Sequence, residues 1–460
     1  MASEKLTAGY GQSWCFYGDN RSGIDDFLRF LAGENARPPA GAVFHLPEKP
    51  RLISFAAQQA IYEEELRNDD SDFLDRPDPG RLSREFLPTD KLDDPLIDRL
   101  HFREALEIGF RQLSSGQNRK LLLLRALLDG SCFLVVDCPF DGLDQDGCRE
   151  LDAALQTVAD AEHLLFLLVR NPGDIRRWCG FLGIFQDGRL IVQAEMVAGL
   201  AKLQEMGGAA SLFTGALASV GQVGQAARGE ELLRLRNGFA FYENKPLFSG
   251  LDLTIKSGDH TLITGPNGYG KSTLVQIICG DHPKCYANDL TIFGRRRGSG
   301  ESIWELKKEM GIVSPELHRA YRAPGSALQV VLSGLYDSIG LYAKASDQDM
   351  RRADFWLAQV GLADKAAVAF RRLHYGEQRL ALIARALIKL PKLLLLDEPT
   401  HGLDQAARIA LLDFLERLAA TEGGSTIVYV SHREDEYRKF FRQRIRLEEY
   451  SHPCPNSPKS

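Results

Sequence analysis

The sequence predicts an α/β protein of two fused domains, each a mainly parallel sheet with a helical subdomain. The leading antiparallel β part is expected to be truncated in the first. Three observations predict this. The chain has 460 residues, more than one core usually holds and enough for two domains of roughly 200 residues. Unbroken apolar runs such as Leu164–Val169 and Leu393–Leu396 read as strands buried on both faces, as in a parallel sheet covered by helices. Finally, one order of features occurs twice.

In the first half, the apolar run Trp14–Tyr17 leads into the loop GDNRSG (Gly18–Gly23). LSSGQ (Leu113–Gln117), FLVVDCP (Phe133–Pro139) and GLD (Gly142–Asp144) follow. In the second half, Thr261–Thr264 leads into GPNGYGKST (Gly265–Thr273), then LHYGE (Leu373–Glu377), LLLLDEP (Leu393–Pro399) and GLD (Gly402–Asp404). Leu113 to Asp137 and Leu373 to Asp397 each span 24 positions. That is an internal duplication with a period near half the chain. It predicts domains at 1–195 and 231–446. The Ala/Gly-rich stretch 196–230 reads as a linker with a short helix near Ala198–Met206, and 447–460 as a flexible tail.

Gly265–Ser272 fits G-x-x-x-x-G-K-[ST] without a mismatch, after a strand and before the helical-looking STLVQIICG. Such a loop (Gly265, Pro266, Asn267, Gly268, Tyr269, Gly270) turns backbone N–H groups toward phosphates, and the helix that continues through Thr273 adds its positive end. Lys271 is then placed to neutralise phosphate charge and the Ser272 hydroxyl to ligate Mg²⁺. Asp397 ends a four-leucine strand, where a carboxylate can hold Mg²⁺. Glu398 beside it can act as a general base on water. His432, at the end of the apolar run before SHRED, can sense a terminal phosphate.

Several classes are disfavoured. A formal charge of −6 lacks the basic excess of a general nucleic-acid binder. The eight cysteines form no CxxC pair, which fits reduced thiols in the cytoplasm. The first residues, MASEKLTAGY, carry no apolar secretion signal. No apolar run approaches the roughly 18 residues that span a bilayer.

P-loop, LSSGQ, DEP, GLD and a strand-end His together resemble the ABC ATPases, over nearly the whole chain. The strings Gly280–Ser314 and Val330–Tyr342 resemble the second domain of twin-domain ATPases associated with bacterial molybdate transport. This resemblance implies ATP hydrolysis with ATP and Mg²⁺ as cofactors, in a cytoplasmic protein that sits on the inner membrane where a permease recruits it. It implies that Tyr242 stacks on adenine, a contact worth roughly 1–3 kcal/mol. It also implies that domains pair head to tail. Ser114, Ser115, Gly116 and Gln117 would then meet the phosphates bound by the other half, and Asp144 would reach the opposing P-loop. The partner would be a separate membrane permease or a molybdenum-handling protein.

The first half departs from that pattern. Ile24 stands where the P-loop Lys belongs, Asp25 where the Ser/Thr belongs, Cys138 in the base position and Asn171 at the switch position. The chain begins about a dozen residues before the P-loop strand, so no adenine-stacking aromatic is expected there. The second half has the converse defect, with His374, Tyr375 and Glu377 in its signature. Head-to-tail pairing sorts the intact parts into one sound site and the defects into one dead site. Pro315 occupies the position of the Gln that usually contacts Mg²⁺, with Glu316 its neighbour. Two alternatives stay open, the ATP-binding subunit of another transporter and a ribosome-acting twin factor; the neutral linker and Cys138 speak against the latter. Arg295–Arg297 reads as a solvated loop or an anion site.

Overall fold

The computed structural model describes residues 4–19, 22–34, 42–47, 49–67, 79–159, 163–206, 229–242, 245–321, 323–421 and 424–450. The chain divides into two compact units, Met1–Ala210 and Ser211–Ser460.

In the first unit β1 (Glu4–Thr7) pairs in parallel with β3 (Ala42–His45). The main sheet runs in the order β4 (Arg51–Ile53), β5 (Phe133–Asp137), β6 (Leu164–Val169), β2 (Ser13–Tyr17), β7 (Phe181–Gln186) and β8 (Arg189–Glu195). Its strands are parallel except β8, which returns antiparallel to β7. All six residues of β6 are buried, as its unbroken LLFLLV predicts for the middle of a covered sheet.

The second unit opens with β9 (Glu231–Tyr242) and β10 (Lys245–Lys256). They join an antiparallel sheet in the order β10, β9, β12 (Asp289–Ile292), β13 (Arg295–Arg296). Its parallel sheet runs β14 (Met310–Val313), β15 (Leu393–Asp397), β16 (Thr426–Val430), β11 (Thr261–Thr264), β17 (Gln443–Arg446). Position by position this is the order of the first unit's sheet. In both, the P-loop strand (β2 or β11) lies beside the switch strand (β6 or β16), which neighbours the carboxylate strand (β5 or β15). In both, the P-loop, the carboxylate and the switch residue therefore emerge at the carboxyl ends of adjacent parallel strands, where α/β folds place ligands. Among the described residues, the first unit has no counterpart of the four-stranded antiparallel sheet.

Two expected boundaries shift. The segment read as linker starts with a helix, Met196–Glu205, whose Met196 is buried in the first unit's core. Gly199 lies so close to Leu182 that a Cβ there would meet its side chain at 2.7 Å. The tail does not begin at 447, because Leu447 is fully buried in the second unit's core; residues 451–460 lie outside the described set. The seven described cysteines are all free. Among the described residues no helix is long and apolar enough to cross a membrane.

Candidate functional site

Gly265, Gly268 and Gly270 have φ of 148°, 83° and 84°, positive values that side-chain-bearing residues rarely adopt. The loop therefore curls tightly onto the helix Lys271–Cys279, whose first turn holds Lys271, Ser272 and Thr273. The Lys271 ammonium points back into the curl and donates to the carbonyls of Gly265 (2.8 Å) and Pro266 (2.9 Å) and to Asn267 Oδ1 (3.3 Å). Tyr269 packs half-buried against the adjoining core. The side chain of Tyr242 lies outside the described residues.

The carboxylates stand across from this loop. Asp397 is 1% exposed, and neither of its carboxylate oxygens accepts a hydrogen bond at ordinary geometry. Burial pushes the acid up to about 7, reinforced by the charges of Glu398 and Glu316, although the Ser272 hydroxyl is near enough to favour the ionised form. Glu316 Oε2 is also buried without a partner. Orphaned oxygens beside a hydroxyl are what a hard cation such as Mg²⁺ would satisfy. Among the described residues no three His, Cys, Asp or Glu side chains form a metal cage by themselves.

Glu398 has φ 45°, an uncommon backbone for a side-chain-bearing residue. Its N–H donates to Val430 O at 3.1 Å. Arg379, fully buried, donates to the carbonyls of Asp397 and Glu398 (each 2.7 Å) and of Ser314 (3.0 Å). His432 Nδ1 lies 2.9 Å from Glu398 Oε1. Burial raises the Glu398 acid, but the bond to His432 and the charge of Lys271 outweigh it and hold the carboxyl ionised and low. The side chain is thus a carboxylate at neutral pH, pinned by its backbone and oriented by an imidazole.

The first unit repeats the scaffold with other chemistry. Cys138 has φ 47° and its N–H donates to Leu168 O at 2.9 Å, as Glu398 does to Val430. Burial pushes its thiol far up, so it stays protonated and serves poorly as a base. Ile24 is fully buried in the apolar core with Phe16, Phe27 and Leu31. The largest surprise is Arg170. Its buried guanidinium Nη2 donates to Asp25 Oδ1 at 2.5 Å and lies 2.9 Å from Asp137 Oδ1. A side-chain cation thus bridges the two positions where the second unit has Ser272 and Asp397.

The signature segments also differ. Ser114 caps the helix Ser115–Leu128 in a capping box: Ser114 Oγ accepts from Gln117 N–H (3.2 Å) and Gln117 Oε1 from Ser114 N–H (2.9 Å). Gly116 leaves the helix start open, with Leu143 Cδ2 3.5 Å from where a Cβ would sit. The Ser115 side chain lies outside the described residues. Asp144 Oδ1 accepts from Gly147 N–H at 2.8 Å. In the second unit Tyr375 stands at the position of Ser115. Its ring stacks on His318 (4.5 Å between centroids), its hydroxyl meets His401 Nδ1 at 2.8 Å, and Glu377 pairs with Lys365.

The structure thus gathers Gly265–Thr273, Asp397, Glu398 and His432 at one sheet edge, and Ser114, Gly116, Gln117 and Asp144 at one edge of the other unit. Sequence reasoning missed Arg170 and Arg379, and had Glu316 only as the neighbour of Pro315, whereas its charge bears on Asp397. Arg170 left a trace, as a charged residue directly after LLFLLV. Arg295 and Arg296 are solvent-exposed, as a solvated segment would be, and pair with Glu305 and Asp289, whereas the Arg297 side chain is buried against Glu301.

The ABC transporter family profile matches residues 248–401. The chain belongs to the ABC transporter ATP-binding proteins and is an ATP-hydrolysing enzyme. It is similar to the ABC transporter ATP-binding protein ModF of Escherichia coli strain K12, with 36% identity over 447 residues, 94% of this chain and 90% of that one. An uncharacterised ABC transporter ATP-binding protein of Schizosaccharomyces pombe shares 24% over 95% of this chain and 92% of its own. The solved structure of an RNase-L inhibitor covers 94% of this chain and 83% of its own at 17% identity, with a TM-score of 0.49.

Proposed function

We propose that the protein hydrolyses ATP at one site, built on the P-loop of the second unit and completed by the signature segment of the first. Lys271 and the loop amides bind the phosphates, with Tyr242 against the adenine. Ser272 and Asp397 hold Mg²⁺, which would draw charge from the β- and γ-phosphates. Glu398 accepts a proton from the attacking water, and His432 keeps that carboxylate oriented and reads the terminal phosphate. Ser114, Ser115, Gly116 and Gln117 contribute the helix N-terminus and Asp144 the loop contact that head-to-tail pairing requires of ABC ATPases. The observation carrying this reading is the sorting of chemistry. The unit with the oriented Glu398–His432 pair carries Tyr375, packed on His318, in its signature, whereas the unit with LSSGQ has Arg170 in its cation position. The test is stoichiometry. Glu398→Gln protein, equilibrated with labelled ATP and Mg²⁺, should retain one nucleotide per chain; two would overturn the single-site reading.

The working role we propose is molybdate or molybdenum handling in the cytoplasm, through a separate permease or a molybdenum-binding protein. It is supported by the resemblance of Gly280–Ser314 and Val330–Tyr342 to twin-domain molybdate-associated ATPases and by the full-length likeness to ModF. The ATP-locked Glu398→Gln protein should retain such a partner in a pull-down that wild type with ADP does not. Recovery of ribosomes instead would refute the role.

A further inference from the structure

Glu436 closes the short turn Glu434–Glu436 that follows His432, and it is fully buried. A carboxylate withdrawn from water is strongly destabilising unless donors surround it. Three hydroxyls do so. Thr400 Oγ1 donates to Oε1 at 2.6 Å, while Ser431 Oγ (2.6 Å) and Tyr429 Oη (2.9 Å) donate to Oε2. Arg433 Nε stands 3.9 Å from Oε1, too far for a hydrogen bond.

Tyr429 donates from within β16, and the other two donors come from two different loops. Thr400 lies two residues past Glu398, on the turn that leaves β15. Ser431 directly precedes His432, on the turn that leaves β16, and its oxygen also accepts from Arg433 N–H at 3.0 Å. One rigid, charge-assisted cluster therefore grips the His432 loop on both sides and ties it to the Glu398 loop.

We infer that Glu436 is a positioning residue for ATP hydrolysis: through Thr400 and Ser431 it holds the loop of Glu398 against the loop of His432, and so maintains the 2.9 Å contact between them. The inference rests on the reading of Glu398 as base and His432 as its partner. Glu436 itself touches neither the phosphates nor the base. Its effect is therefore on the chemical step and not on the P-loop, which binds ATP from another strand.

The test is steady-state ATPase kinetics of Glu436→Gln in the full-length protein, with ATP affinity measured separately by a fluorescent ATP analogue. An amide must present N–H toward at least one hydroxyl and loses the charge. kcat should fall about 10- to 100-fold, the scale of a lost charge-assisted hydrogen bond, while the analogue's Kd stays within about twofold. Thr400→Val, which removes only the hydroxyl, should reproduce most of the loss, and Thr400→Ser should recover it. Combining Thr400→Val with Glu436→Gln should add little to either alone, since both break one linkage. Wild-type kcat in Glu436→Gln, or equal losses in kcat and affinity, would overturn the inference. Should Glu436→Gln fail to fold, Thr400→Val and Thr400→Ser decide the question by the same kcat-against-Kd comparison. Glu398→Gln run alongside separates the two readings: if it keeps turning over ATP the site assignment falls, whereas normal turnover in the Glu436 and Thr400 variants alone removes only the positioning role.

Discussion

Two carboxylate strands, one fold, opposite electrostatics: β5 ends in Asp137 and β15 in Asp397, and each is followed by a residue with φ near 45°. Beside Asp137 a buried Arg170 also grips Asp25, which stands where a P-loop hydroxyl belongs. Beside Asp397 the carboxylate oxygens are unpartnered and Glu398 and Glu316 add negative charge. In the first arrangement one guanidinium is shared by two carboxylates, and burial still raises the Asp137 acid. The second is an uncompensated buried charge that a metal–nucleotide complex would relieve. The comparison teaches that loss of a site need not be decay toward disorder. Here a guanidinium occupies the place a cation would take in the second unit, so the buried carboxylates of the first unit have a partner within the protein.

The largest expected effects follow from that contrast. Glu398→Gln should reduce ATP turnover by on the order of 10²–10⁴-fold, as removal of a general base does. Lys271→Ala should abolish it by removing phosphate neutralisation. Cys138→Ala, at the matching position of the first unit, should leave turnover within about threefold. Steady-state phosphate release measures all three, and a Cys138 variant as damaged as Glu398→Gln would end the asymmetry.

Next in size is the ion pair itself. Arg170→Met leaves Asp25 and Asp137 buried without their partner and should destabilise the first unit by about 3–5 kcal/mol. Adding Asp25→Ala and Asp137→Asn to the same chain should restore most of the loss, because no charge is then left unpaired. Thermal unfolding followed by calorimetry reads both. An Arg170→Met protein as stable as wild type would mean that the bridge contributes nothing.

The parallel sheets, the P-loop and the placing of Asp397, Glu398 and His432 at strand ends were legible because each rests on local patterns. Unbroken Leu/Val runs mark buried parallel strands, glycines mark left-handed turns, and fixed spacing carries Asp397 and His432 to neighbouring strand ends. Arg170, Arg379 and Glu436 were not legible. Each acts across 18 to 145 positions of sequence, and nothing in LLFLLVR or SHREDE states which buried oxygen its side chain will meet. The reading of Arg295–Arg297 as solvated holds for Arg295 and Arg296 and fails for Arg297, whose buried partner Glu301 lies in the turn after it. Tyr375 read as a damaged signature; in the fold it is a packed ring with two histidine neighbours.

A smaller effect probes the signature side. Ser114→Arg breaks the capping box and puts a long charged side chain at the helix start. It should lower kcat about tenfold or more with little change in ATP Kd, since binding rests on the P-loop and only the closed state needs the signature. His374→Ser should not raise turnover. Equal activity of Ser114→Arg and wild type would sever the first unit from catalysis.

The smallest effect sharpens the electrostatic half of the comparison by a pH dependence whose sign is fixed. An aspartate in an unfolded chain ionises near 3.9, whereas burial and the neighbouring Glu398 and Glu316 raise Asp397 to about 7. A raised acid contributes stability below its unfolded value and loses it as pH climbs through its folded one. The nucleotide-free second unit should therefore be penalised by Asp397 most fully at pH 8 and much less at pH 5. Asp397→Asn removes that charge while keeping the shape. It should raise Tm by about 2–5 °C at pH 8, the scale of roughly 1 kcal/mol in a unit of this size, and by less at pH 5. Adding ATP with Mg²⁺ should reverse the order, because wild type then gains a ligand that the amide holds poorly. Differential scanning calorimetry at the two pH values, with and without Mg-ATP, reads all four states. A variant that melts below wild type at pH 8 without nucleotide would show that Asp397 is already compensated within the protein, and the contrast with Arg170 would lose its physical basis.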